Sequence, residues 1–195
     1  MTSIYFVRHA EPNHGWSDDR SRPLSEEGMK DSKEVKRALT SEKLDYAISS
    51  PYVRSMDTIR GCAESHNLTI HTDERLRERE KGDGGNNFSM FQKRWSDFDY
   101  HEEGGESLKM VQERNVEALS EVLEKHPGEK ILWGTHGTAL STILHYYDNS
   151  YNCDSFMRMI DFMPYIIRLD FEGMKCVGQE ELLIIEKEFV GKDHL

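Results

Sequence analysis

Cysteine and proline are scarce in this chain of 195 residues, with three of the first and five of the second. The three thiols, Cys62, Cys153 and Cys176, have no C-x-x-C spacing. That excludes a disulfide framework and a zinc knuckle, and leaves reduced thiols packed in or near a core. No run of 18 apolar residues exists, so no membrane-spanning helix is expected, and Arg8 breaks the first apolar stretch too early for a secretory signal. A cytoplasmic location is the resulting expectation. Positive charge is also short: 25 Lys and Arg against 36 Asp and Glu give a net charge of −11. A surface this acidic repels nucleic-acid backbones and anionic lipid, so neither is expected as a partner. An anionic small-molecule substrate would need arginines gathered in space.

What is present is enough for a folded core. Hydrophobic residues make up 36% and aromatics 10%, which argues against disorder. The length suits one domain, and with no internal repeat or linker the whole span 1–195 reads as a single unit.

Local patterns alternate between two kinds of element. Apolar runs at 3–7, 46–49, 68–71 and 130–133 read as buried strands, and 165–171 and 174–185 as two more. Ser25 is an N-cap candidate for a helix to about Leu39, with Glu26 and Glu27 in its positive first turn. Pro51 suits the first position of a second helix, where its missing N–H costs nothing. Helical spacing recurs over 106–125, ending before Pro127-Gly128, and over about 138–147. Residues 82–105, rich in glycine and aromatics, read as an irregular or partly helical excursion that caps the domain. Alternating strands and helices imply an α/β fold of three layers, α/β/α, with a mainly parallel sheet and an antiparallel edge. Oligomeric state has no signal beyond 165–171, a candidate edge for pairing with a second copy.

In such sheets, ligands bind beyond the carboxyl ends of the strands. The first strand runs into Arg8-His9, the second into Ser49-Ser50 with Arg54 one helical turn on. The third leads to a charged loop holding Glu78, and the strand at 130–133 ends in Gly134-Thr135-His136-Gly137. Two histidines, two arginines and a carboxylate therefore converge on one sheet edge. The set suits phosphoryl transfer, which needs cations and N–H donors on the equatorial oxygens and an in-line nucleophile. Arg8 and Arg54 can each bind phosphate bidentately, and His136 adds a donor if protonated. The amino end of the Pro51 helix offers further N–H groups. His9 is available neutral to attack phosphorus, and Glu78 can protonate the leaving oxygen and then take a proton from water.

At these residues the sequence resembles a known family. IYFVRHAEP resembles the R-H-G opening of the histidine phosphatase superfamily, also called phosphoglycerate mutase-like, with Ala10 in place of glycine. RPLSEEG matches its P-L-T-x-x-G at Pro23, Leu24, Ser25 and Gly28, and SSPYVRSMDT resembles S-S-P-x-x-R-A-x-x-T, ending at Thr58. LREREKG resembles L-x-E-x-x-x-G and selects Glu78 over Glu80, because Gly82 lies four residues on. GGESL and THG follow in order, so the motifs span residues 4–140. The resemblance implies that His9 is phosphorylated, that Arg8, Arg54 and His136 complete the phosphate pocket, and that Glu78 is the proton donor. It implies no metal and no organic cofactor. One departure stands near the site: the family asparagine seven positions after the R-H-G arginine is here Gly15. Asn13 and His14 are the candidates to replace it, and His14 and Trp16 are candidate substrate contacts.

The expected activity is a metal-independent phosphatase acting on a phosphorylated small molecule. The alternatives are mutase-type transfer and a non-catalytic phospho-ligand binder on the same fold. The mutases this chain resembles carry a longer insertion after the acidic residue, whereas Glu78 and Glu106 are only 28 positions apart. A short lid excludes water poorly, which favours hydrolysis.

Overall fold

The structure, a computed structural model, describes residues 1–188; residues 189–195 of the expected span lie outside the described residues. Six strands form one sheet: β1 (Thr2–Arg8), β2 (Tyr46–Ser49), β3 (Ile70–Thr72), β4 (Lys130–Thr135), β5 (Phe162–Glu172) and β6 (Lys175–Glu186). Their order is β3-β2-β4-β1-β5-β6, with β3, β2, β4 and β1 parallel and β5 and β6 antiparallel. The three-layer fold with an antiparallel margin is as expected. One detail differs: β5 lies between β1 and β6, so among the described residues the edges are β3 and β6, and 165–171 is not an edge that can pair with a second copy.

β1 is buried on both faces along its whole length, which is why its sequence is a continuous apolar run rather than an alternating one. Ile4 and Phe6 point into one core, while Tyr5 and Val7 point into the other. Helices α1 (Glu26–Ala38) and α2 (Val53–Ser65) pack against each other over the second core. On the first core lie α4 (Leu108–Lys125), α5 (Gly137–Tyr147) and α6 (Cys153–Met159). Cys62 is buried in the second core, and Cys153 and Cys176 pack against the first, all three as free thiols. Among the described residues no helix is long and apolar enough to cross a membrane.

Ser25 caps α1 as expected, its side chain accepting from Gly28 N at 3.0 Å. The Pro51 reading needs correction. α2 begins at Val53, with extended Tyr52 as its N-cap. Ser50 Oγ accepts from Tyr52 N, and Val53 N donates to Arg20 O, so this helix end is tied to the neighbouring loop. α4 starts after its cap Ser107, leaving Glu106 free to bind Arg77 and Arg114. α6 was not expected; it has seven residues and is held by an Asn152–Ser155 capping box.

The excursion at 82–105 contains α3 (Phe88–Ser96), and a Lys81–Gly105 bridge closes its base. Glu102 pins it by accepting from Arg94 and pairing with Arg79 at 3.3 Å, all three being buried.

Two helical glycines separate propensity from packing. A Cβ on Gly28 would lie 2.1 Å from Glu11 O, whereas one on Gly61 meets nothing within 4 Å. Gly61→Ala should stabilise the fold by about 0.5–1 kcal/mol, because alanine is the better helix former. Gly28→Ala should destabilise it by about 1–3 kcal/mol through the forced backbone shift. Urea unfolding midpoints check both signs.

Candidate active site

The register of the parallel strands assembles the site. Arg8 pairs with Thr135 across β1 and β4, and Ser49 pairs with Gly134 across β2 and β4, so three strands end together. His9 N donates to Thr135 O at 3.2 Å, and Ser50 N donates to Gly134 O at 3.1 Å. A cavity of about 460 Å³ opens beyond these ends, lined by Arg8, His9, Arg54 and Glu78 among others.

Arg8 has no carboxylate partner within ion-pair distance among the described residues. Its Nη1 donates instead to the carbonyl oxygens of Met159, Ile160 and Phe162, at 2.7, 2.8 and 3.0 Å. Its Nε is buried with no hydrogen-bond partner among the described residues. Burial pushes the guanidinium down to about 10, so it remains charged at neutral pH. Arg54 Nη1 donates to Asp19 O at 2.6 Å and lies 3.2 Å from the Asp19 carboxylate, with its guanidinium over the Tyr52 ring.

His9 Nδ1 is 2.8 Å from Ala10 O. A carbonyl oxygen only accepts, so Nδ1 carries the ring proton and Nε2 keeps its lone pair. Burial, with help from Arg54 and Arg8, holds this imidazole well below its ordinary range and therefore neutral. His136 is fully buried at the β4–α5 junction, its ring centroid 5.3 Å from that of His9 and its Nε2 2.7 Å from Ser50 Oγ. The cavity wall here is formed by the next residues, Gly137 and Thr138. Burial, Arg54 and His9 push His136 down as well, so in the free protein it is not the protonated donor considered above.

Glu78 sits across the cavity at the amino end of α5. Its carboxylate accepts from Thr138 N and Ala139 N, both at 3.1 Å, and from Arg79 N at 2.8 Å. The amino end of α5 thus faces the site, and the start of α2 borders the cavity through Tyr52 and Arg54.

Of the other candidates, only His14 lines the cavity. Asn13 Oδ1 accepts from Gly15 N in an exposed turn, and Trp16 Nε1 donates to Ser21 Oγ, so neither reaches the cavity wall. Sequence reasoning missed Tyr52, whose ring packs edge-on to His136 at 5.2 Å, and Arg79, Lys81 and Arg94 on the roof. Of the excursion's aromatics, Phe91 and Trp95 line the cavity, joined by Phe156 from α6. Phe98 packs against His145, and Tyr100 lies beneath Lys93. Among the described residues no cluster of three His, Cys, Asp or Glu side chains is placed to hold a metal ion.

The sequence model of the histidine phosphatase superfamily (branch 1) matches residues 4–175. The chain belongs to that superfamily. A 2,3-bisphosphoglycerate-dependent phosphoglycerate mutase of Parvibaculum lavamentivorans is 30% identical over 93% of this chain and 96% of its own length. That alignment runs over 209 positions, more than the 195 residues of this chain, so the mutase carries residues that this chain lacks. Phosphoserine phosphatase from Entamoeba histolytica, a variant solved with phosphoserine, superposes with a TM-score of 0.77 at 17% identity, covering 93% of this chain and 97% of that one. A mycobacterial glucosyl-3-phosphoglycerate phosphatase gives 0.70 at 17% identity, covering 95% and 99%. At those identities the two structures speak for the fold. The superfamily chemistry is phosphoryl transfer or hydrolysis.

The two buried histidines make stability depend on pH. Well above pH 6.5 both are neutral whether folded or unfolded. Below it the unfolded chain takes up protons that the folded chain refuses, so stability is lost as pH falls. Between pH 6.5 and 5.5 this amounts to about 1 kcal/mol for each histidine. Urea titrations should show wild type losing about 2 kcal/mol more than the double variant His9→Gln, His136→Gln. Equal losses would contradict the assignment.

Proposed function

We propose that this chain is a phosphomonoester hydrolase that needs no metal and works through a phosphohistidine on His9. The observation that carries the reading is the neutral His9 ring: Nδ1 is committed to Ala10 O, and Nε2 is left with its lone pair beside two buried arginines. The free donors of Arg8 and those of Arg54 hold the equatorial oxygens of the phosphate. Among the described residues the Ser50 hydroxyl proton has no acceptor other than His136 Nε2, so Ser50 Oγ donates there while accepting from Tyr52 N. That places the His136 ring proton on Nδ1, a buried atom with no partner among the described residues, which donates to a third phosphate oxygen.

His9 Nε2 then attacks phosphorus as the ester P–O bond breaks. Glu78, entering as the acid, gives its proton to the departing alkoxide. As carboxylate it takes a proton from water, which attacks phosphorus, breaks the P–N bond and releases inorganic phosphate. Held by three backbone N–H groups, the Glu78 carboxylate keeps its place through both steps.

The substrate class we infer is a phosphate ester of a small hydroxy acid. Arg79 supports this: Glu102 and two carbonyls engage only its Nη1, leaving Nε and Nη2 for a carboxylate on the leaving group. The phosphoserine bound to a related fold carries the same pair of groups. A second reading, mutase transfer, is favoured by the end-to-end match to a phosphoglycerate mutase. With 3-phosphoglycerate the two readings differ in product, free phosphate against an isomeric phosphoglycerate.

His9→Ala should lower p-nitrophenyl phosphate turnover by about a thousandfold or more; turnover within tenfold of wild type would end the mechanism. Glu78→Gln should slow esters of poor leaving groups by about a hundredfold while affecting nitrophenyl esters far less. Equal losses on both would remove Glu78 from the acid role. Phosphate release should be at least about tenfold more efficient from 3-phosphoglycerate than from glycerol 3-phosphate, which lacks the carboxylate. Equal efficiency would withdraw the hydroxy-acid assignment.

A further inference from the structure

We propose that Thr58 is a positioning residue, the link that fixes the aim of His9 against the phosphate held by Arg54. The inference rests on the phosphohistidine reading. Thr58 lies four residues after Arg54 on α2, so the two share one face of that helix. It is fully buried and touches neither the cavity nor any group that would react. Its Oγ1 donates to Arg54 O at 2.7 Å and accepts from Ala10 N at 2.9 Å. Ala10 O in turn accepts from His9 Nδ1 at 2.8 Å.

These contacts form one chain of hydrogen bonds from the backbone of Arg54 to the imidazole of His9. The direction of the Ala10 carbonyl decides which ring nitrogen is protonated and where the Nε2 lone pair points. That direction depends on the backbone of Ala10, whose N–H has Thr58 as its partner. β1 and α2 come from separate parts of the sequence, and Thr58 sets their spacing where nucleophile and phosphate binder must agree. In-line attack tolerates little error, and a misplacement of about 1 Å can cost a hundredfold in rate. Arg54 is held independently through Asp19, so loss of the Thr58 hydroxyl should leave phosphate binding largely intact.

The test compares Thr58→Val, which keeps the shape without the hydroxyl, with Thr58→Ser, which keeps the hydroxyl; Thr58→Ala replaces the valine variant if that one does not fold. Burst-phase phosphorylation of the enzyme and steady-state kinetics are measured with p-nitrophenyl phosphate. The expected result is a burst rate and kcat about 10- to 100-fold lower in the valine variant, KM within threefold of wild type, and recovery to within threefold of wild type in the serine variant. In histidine-labelled protein, the 15N spectrum should show His9 as the Nδ1–H tautomer in wild type and in the serine variant, and a mixture of tautomers in the valine variant. A valine variant within twofold of wild type in burst rate would overturn the proposal. So would a serine variant as slow as valine, or a loss confined to KM. Absence of any phosphoenzyme in wild type would instead strike the phosphohistidine reading itself, and His9→Ala run alongside tells the two failures apart.

Discussion

A cation taken out of water costs several kcal/mol unless something replaces its hydration. At Arg8 the replacement is three backbone carbonyl oxygens, from Met159, Ile160 and Phe162, with no carboxylate at ion-pair distance among the described residues. That choice governs the rest of the site. Carbonyl dipoles orient and partly solvate the guanidinium without cancelling its charge. The positive potential therefore stays in the pocket, even though the protein as a whole carries −11. α6, short as it is, supplies Met159, and the turn after it supplies Ile160; the sheet supplies Phe162.

The same uncancelled charge acts on the histidines. Burial comes first, with Arg54 and Arg8 adding to it, and together they make a second positive charge on His9 unfavourable. A neutral imidazole is what a phosphorus nucleophile must be, so the field that attracts the substrate also readies the proposed attacking atom. Glu78 completes the arrangement from the opposite wall, where the amino end of α5 fixes the carboxylate through backbone donors rather than through an arginine. Acidic residues near the site are engaged in the same economical way. Asp19 holds Arg54, and Glu102 is shared by Arg79 and Arg94, which leaves the roof with a surplus of cations.

Much of this was legible in the amino acids because it follows from period and position. A continuous apolar run ending in Arg8-His9 could only be an interior strand delivering both residues to a sheet edge. Ser25 ahead of two glutamates marked a helix start with equal clarity. The misreadings have local causes. Pro51 suits a first helical position, but Ser50 Oγ captures Tyr52 N and delays the helix to Val53, which brings the Tyr52 ring against His136. Asn13 and Trp16 were offered as substrate contacts for their place in the chain, yet the turn at Gly15 closes on Asn13 itself and directs Trp16 toward Ser21. α6 lay below the length at which periodicity speaks, and its capping box Asn152–Ser155 was the one signal available. Arg79 and Arg94 look like ordinary members of charged stretches. Only the fold of the excursion shows that they share one buried carboxylate.

The central claim, that His9 takes the phosphoryl group itself, is tested most directly by trapping. Enzyme mixed with a phosphate ester and quenched in alkali within milliseconds, then digested and mapped by mass spectrometry, should carry one phosphoryl group on the peptide containing His9, lost on brief acid treatment. Continued turnover with no phosphorylated peptide, or with phosphate on a different side chain, would contradict the account.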